Sequence, residues 1–152
     1  MEAPSSTPFA IKNFWSWLFG ILVLYSSFNA FETAASELAK DKAKAVIEAQ
    51  IEAMAIDDWP RAYSYASPDI RKRFGGPQQF KEMVLHGYKI VYRPRSVSFQ
   101  GVEDFGIAPS LVFHMIGTNG QAAKVVYLMI EDEHEGWRIA GVQVFNIEGK
   151  II

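Results

Sequence analysis

Asp57, Asp58, Tyr63, His86, Tyr88, His114 and Tyr127 have the side-chain types that acid/base chemistry asks for. An isomerase or dehydratase sets an aspartate or histidine beside a tyrosine, so that one group takes a proton while another steadies the developing charge. The spacing of these residues fits no specific template. Asp57 and Asp58 stand where a helix begins and read more simply as caps. His86 precedes the helix-stopping Gly87, where a cation or a carbonyl hydrogen bond suits it. His114 falls mid-strand between Phe113 and Met115, either in the core or facing the second surface of a sheet. The residues therefore favour a chain that is not an enzyme, with an isomerase or lyase on Asp58, Tyr63 and His114 as the rival.

Other chemistries fare no better. The turn Glu131-Asp132-Glu133-His134-Glu135 offers oxygen ligands, but adjacent acids do not by themselves form a cage, and a solvated hairpin tip accounts for it. There is no cysteine, which excludes disulfides, thiolate metal sites and a cysteine nucleophile. Gly75-Gly76 before a helix lacks the lysine and spacing of a phosphate loop. No cofactor and no metal is expected. Fifteen basic and seventeen acidic side chains leave a net charge of −2, which speaks against nucleic acid. Arg71, Lys72 and Arg73 form the densest basic cluster, suited to anionic lipid headgroups or a partner, or simply to solvent. Among the aromatics, Trp59, Tyr63, Phe80 and Trp137, with His114 and Tyr127, are the candidates to line a pocket for a small apolar ligand.

The elements that must position these groups are legible. Residues 41–56 are amphipathic, with Val46, Ala49, Ala53 and Ile56 at helical spacing and Ile47, Ile51 and Met54 widening the stripe. Asp57 or Asp58 caps a second, short helix. Ser67-Pro68 restarts the chain as cap and first helical residue, and Gly75-Gly76 ends the short turn that follows. Pro77 opens a third helix, carrying Phe80, Met83 and Val84 inward, and Gly87 stops it. The period then changes. Segments 97–105, 110–118, 123–132 and 137–145 are rich in valine, isoleucine and aromatics and are separated by breakers, with Asn119-Gly120 a hairpin signal. Three helices followed by an antiparallel meander predict an α+β domain over 41–152. In the third strand both alternating sets are apolar, so one face covers the helices and the other calls for a protein partner or a homodimer.

Before this domain come a tail (1–12), an uncharged run (13–31) and a connection (32–40). As a helix, the nineteen uncharged residues reach roughly 28 Å, close to the hydrocarbon thickness of a bilayer. Trp15, Trp17, Leu18, Ile21, Leu22, Leu24 and Tyr25 are its anchoring side chains, and a single-pass membrane anchor is the expectation. A cleaved secretory signal and a helix lying on the membrane are the alternatives. The sparse flanking lysines do not fix the orientation.

The run VIEAQIEAMAIDDWPRAYSYASPDIRKRFGGPQQFKEMVLHGYKIVYRP (46–94), with GWRIAGVQV (136–144), resembles an uncharacterised bacterial domain family of the nuclear-transport-factor-2-like superfamily. The resemblance implies a cone of helices on a curved sheet with a pocket at its wide end. It also implies an N-terminal export signal, and it brings no catalytic residues. Fold does not choose a function here. The reading drawn from the sequence is a membrane-anchored accessory or assembly subunit that binds another protein, or a larger membrane complex, through its sheet face and anchor. A small-ligand domain using the cone pocket is the alternative.

Overall fold

The computed structural model describes residues 36–104 and 109–147. The chain divides into two compact units, Met1–Ala39 and Lys40–Ile152. Of the first, only residues 36–39 are described, and they are helical. The expected tail and membrane span therefore lie outside the described residues. Among the described residues, no helix is long and apolar enough to cross a membrane.

The second unit is α+β. Helix α1 (36–55) is followed by α2 (Trp59–Ser64), α3 (Pro68–Phe74), α4 (Pro77–Gly87) and a 3-10 turn (Lys89–Val91). Strands β1 (Ser96–Asp104), β2 (Pro109–Ile116), β3 (Ala122–Asp132) and β4 (Gly136–Asn146) form one antiparallel sheet in that order. The expected turn after Ser67 is a helix in its own right, which adds a fourth to the three. Ser67 Oγ accepts from the Ile70 amide at 3.3 Å, and Gly75 closes the helix at φ 73°.

On α1 the inward face is Ala43, Ile47, Gln50, Ile51, Ala53 and Met54. Of the expected stripe, Ile47, Ile51, Ala53 and Met54 are buried, Val46 and Ala49 are half-buried, and Ile56 is 65% exposed because the helix has already ended. Gln50 can be buried because its Nε2 donates to the Ala62 carbonyl at 3.0 Å, one of the carbonyls left open near the end of α2. These α1 residues share one core with Leu111, Phe113 and Met115 of β2 and Val125, Tyr127 and Met129 of β3. Phe99, Phe113 and Tyr127 make a row of ring contacts across β1, β2 and β3, at 5.3 and 5.6 Å.

The β2–β3 hairpin is present, but not by the route that Asn-Gly suggests. Asn119 keeps a negative φ and its Oδ1 accepts from the Gln121 amide, while Gly120 alone takes φ 80°. The Gly120 amide donates to the Gly117 carbonyl, so the loop is an ordinary four-residue turn whose last residue is the left-handed glycine. Register shifts at Gln100 in β1 and Ala140 in β4 are bulges, and each bends its strand.

One contact holds two side-chain-bearing residues in the left-handed region. Asp57 (φ 61°) and Arg93 (φ 53°) face each other, with Arg93 Nη2 2.6 Å from Asp57 Oδ2. Tyr92 donates its hydroxyl to Asp57 Oδ1 at 2.8 Å, and Arg93 Nε donates to the Ala55 carbonyl at 2.9 Å. Replacing Asp57 by glycine removes carboxylate and strain together, whereas alanine removes the carboxylate and keeps the strain. Urea unfolding should therefore place Asp57→Gly about 1 kcal/mol above Asp57→Ala. Equal stabilities would mean that nothing enforces the left-handed angle.

Candidate functional site

A pocket of about 260 Å³ lies between the helices and the last strand. Helix α1 supplies Gln50 and Met54, and α3 supplies Ile70, Arg73 and Phe74. Helix α4 gives Phe80, Met83 and Val84, with Tyr88 and Val91 just past it. The sheet wall is Ile139 to Val142 of β4. That wall is shaped by the bulge: Met129 pairs with Ile139 and Leu128 with Gly141, so Ala140 has no partner on β3. Just before the bulge, β4 is docked to the helical layer. The Ser67 amide donates to the Ile139 carbonyl at 2.8 Å, and the Ile139 amide donates to the Tyr65 carbonyl at 3.0 Å.

The lining is apolar apart from Gln50, Arg73 and the tip of Tyr88, and it contains no carboxylate. Gln50 is 4% exposed and uses Nε2 on Ala62; no described residue donates to its Oε1. The three basic residues of α3 do not act as one cluster. Arg71 Nη2 contacts both oxygens of Glu135 at 2.7 Å, and Arg138 Nε reaches the same carboxylate at 3.1 Å. Lys72 and Arg73 are both exposed, and Arg73 also borders the pocket, at its rim. The site expected for lipid headgroups is therefore divided among three surroundings.

Of the six residues expected to line a pocket, Phe80 alone lines this one. Tyr63 stands behind it, edge-on to Phe80 with ring centroids 5.8 Å apart, and donates its hydroxyl to the Arg71 carbonyl. Trp59 stacks on Tyr92 at 5.6 Å, with the Lys81 ammonium over its ring. Tyr127 is fully buried beside Phe113, and burial pushes its hydroxyl well above the usual tyrosine range. Trp137 is half-buried against the core. His114 sits on the opposite face of the sheet, paired with Lys124 and Ser98, because β2 alternates and Phe113 and Met115 take the core side. Large rings complete the core before they are free to line a cavity.

The same placement takes apart the acid/base constellation. Asp58 caps α2 by accepting from the Arg61 amide at 3.2 Å, Tyr63 is spent on a carbonyl, and His114 faces away. Asp57 is not a cap but the partner of Arg93. His86 Nδ1 lies 2.7 Å from the Glu82 carbonyl, as its place near a helix end suggested. Asp132 Oδ1 accepts from the amides of His134 and Glu135, which holds its carboxyl below the usual range and builds the hairpin tip. Among the described residues no group of three metal-ligating side chains gathers.

The second face of the sheet is not uniformly bare. Val112 and Val126, paired across β2 and β3, are 4% and 1% exposed. Lys124 on β3 reaches Glu103 on β1 at 2.8 Å, and the register places Val112 between them. Exposed apolar surface lies instead at the end of β4, at Phe145 and Ile147.

Sequence reasoning missed Gln50 and Ile70 as lining residues, while Tyr88, singled out there for acid/base chemistry, lines the pocket. The available signal was Gln50 itself, a polar residue in phase with Ala43, Ile47 and Met54 on the buried face of α1.

The chain matches the domain of unknown function DUF4864 over residues 36–152 and belongs to that family. No curated protein and no solved structure matches it.

The brace between α3 and the β3–β4 turn has a pH signature. The hydrogen bond from Arg71, reinforced by Arg138, holds the Glu135 carboxyl below the usual glutamate range. A carboxyl depressed on folding stabilises the fold above its ordinary pKa of about 4.3, and loses that contribution as the pH falls through its folded value. Thermal melts of Glu135→Gln should therefore lose less stability than wild type between pH 6 and pH 3. Parallel curves for the two proteins would show that the brace is energetically silent.

Proposed function

We propose that this DUF4864 chain is a non-enzymatic binding domain that takes a small apolar ligand into the pocket between α1, α3, α4 and β4, held at a membrane by a helix over residues 13–31. The observation that carries the reading is the pocket itself: a concave space of about 260 Å³ walled mostly by Met, Ile, Val and Phe side chains, with few polar groups converging on it. Helices laid over a bent antiparallel sheet, with a pocket at one end, also suit a nuclear-transport-factor-2-like cone, and we take the fold to be of that kind. At roughly 30 Å³ for a water-sized group, the space holds about eight or nine carbon-sized groups, a short chain or a single ring system.

The methionines give a direct test. Met54 and Met83 line the pocket, whereas Met115 and Met129, buried in the core like Met54, are not part of its lining. Titration of methyl-labelled protein with octan-1-ol should shift the Met54 and Met83 methyl resonances and leave those of Met115 and Met129 in place. Met83→Trp, which fills the pocket, should abolish the shift at Met54. Resonances of Met54 and Met83 that stay fixed up to the solubility limit of the alcohol would sink the proposal.

A second reading, an accessory subunit that meets a protein partner or its own copy through the sheet, is favoured by Phe145 and Ile147, 48% and 43% exposed. Full-length protein in mild detergent should then migrate as a complex or dimer that Phe145→Glu disperses. A monomer for wild type and variant alike would exclude self-association through this surface.

A further inference from the structure

We infer that the pocket ligand is an amphipathic anion, an apolar chain or ring carrying one acidic group, with the acid held by Arg73 at the mouth and the apolar part inside. The inference rests on the proposed pocket function and adds the chemical class of the ligand.

The argument starts from how charge is distributed around α3. Three consecutive cations close this helix, and a cation near a helix C-terminus is favourable on its own account. That general preference explains having basic residues there, but not where each one goes. Arg71 is neutralised by Glu135, and Lys72 is exposed away from the lining. Arg73 is different: it lines the pocket, makes no ion pair with a described carboxylate, and faces a wall without aspartate or glutamate. A guanidinium presents a planar fork of donors that matches a carboxylate or phosphate two bonds at a time. Its position at the rim leaves the head of a ligand in contact with water, so the acid need not be fully desolvated.

The interior selects the rest of the molecule. Beyond Arg73 the walls are Ile70, Phe74, Met83 and Val142, which leave an alkyl chain or ring as the group that fits. With its Nε2 committed to Ala62, Gln50 offers only Oε1, which can accept from one donor on the ligand. A cationic head would meet Arg73 at the mouth with no acid to offset it, so amines are rejected.

Octanoate, octan-1-ol and octylamine separate charge from apolar fit, read by the Met54 and Met83 resonances at low salt. Octanoate should bind wild type roughly tenfold more tightly than octan-1-ol, a difference of about 1.4 kcal/mol, and octylamine should bind least. Arg73→Gln should bring the ratio of acid to alcohol to about one, Arg73→Lys should restore part of it, and Lys72→Gln, which removes the neighbouring charge, should keep it. The preference should also fall as salt is raised. If acid and alcohol bind wild type equally, the anionic class is wrong while the apolar pocket stands. A preference that survives Arg73→Gln overturns the role given to Arg73. Failure of all three ligands to bind removes the pocket function and this inference with it.

Discussion

The site depends on two backbone hydrogen bonds at Ile139. In an antiparallel pair, residues alternate between facing their partner and facing outward with their amide and carbonyl. Ile139 sits opposite Met129, and its own amide and carbonyl go to Tyr65 and Ser67 on the other side. An edge strand whose polar groups would otherwise be open is closed there by the link between α2 and α3. The consequence reaches beyond the strand. Ser67 starts α3, so the residue that docks the helical layer to the sheet also fixes where that helix begins. One residue further along β4, the bulge at Ala140 bends the strand and shapes the wall that the pocket requires.

Side chains reinforce what those two bonds establish. Arg71, one turn into α3, ties to Glu135 in the turn between β3 and β4, and Arg138 completes the brace. Tyr63 on α2 donates to the carbonyl of the same Arg71. Helices α2 and α3, the last hairpin and the first residues of β4 are thus joined by contacts that each involve a different chemical group. At the other end of the fold, the Asp57–Arg93 pair joins the end of α1 to the approach to β1 across two left-handed residues. Such backbone persists only where neighbouring contacts over-determine it, and here a hydrogen bond from Tyr92 and one to the Ala55 carbonyl do so.

Local signals account for what was legible in the sequence. The four expected strands end within two residues of those observed, because valine-rich runs bounded by glycine, proline and Asn-Gly leave little choice. Capping chemistry placed α2 and α4 and marked Ser67-Pro68, though seven residues there make a helix where a turn was expected. On α1 periodicity points to Ile47, Ile51, Ala53 and Met54, all buried, but not to Gln50, which looks wrong for a core until its partner is known, a carbonyl twelve residues away. The pocket was the least legible part. Its candidates were chosen as large aromatic rings, yet Trp59, Tyr127 and His114 were already committed to a stack, a core and the far face of a sheet. Contacts between residues 65–67 and 139, or between 71 and 135, leave no trace in periodicity.

Why the pocket stays open follows from which residues meet where the layers join. At the β1–β2 side of the core, Phe99, Phe113 and Tyr127 interlock and fill the space between sheet and α1. At the β4 side, the residues nearest the dock are small: Ala66 on the link, with Ala140 and Gly141 on the bulge. Side chains this short leave open the space beside the Ile139 dock. Longer groups from α3 and α4 line that space without closing it, and Gln50 and Arg73 bring polarity to its floor and rim. The cavity therefore lies where the two layers meet through backbone hydrogen bonds and small side chains, beside a core that large side chains fill. Its chemical character, apolar with one uncompensated cation, is set by residues that the docking itself does not need.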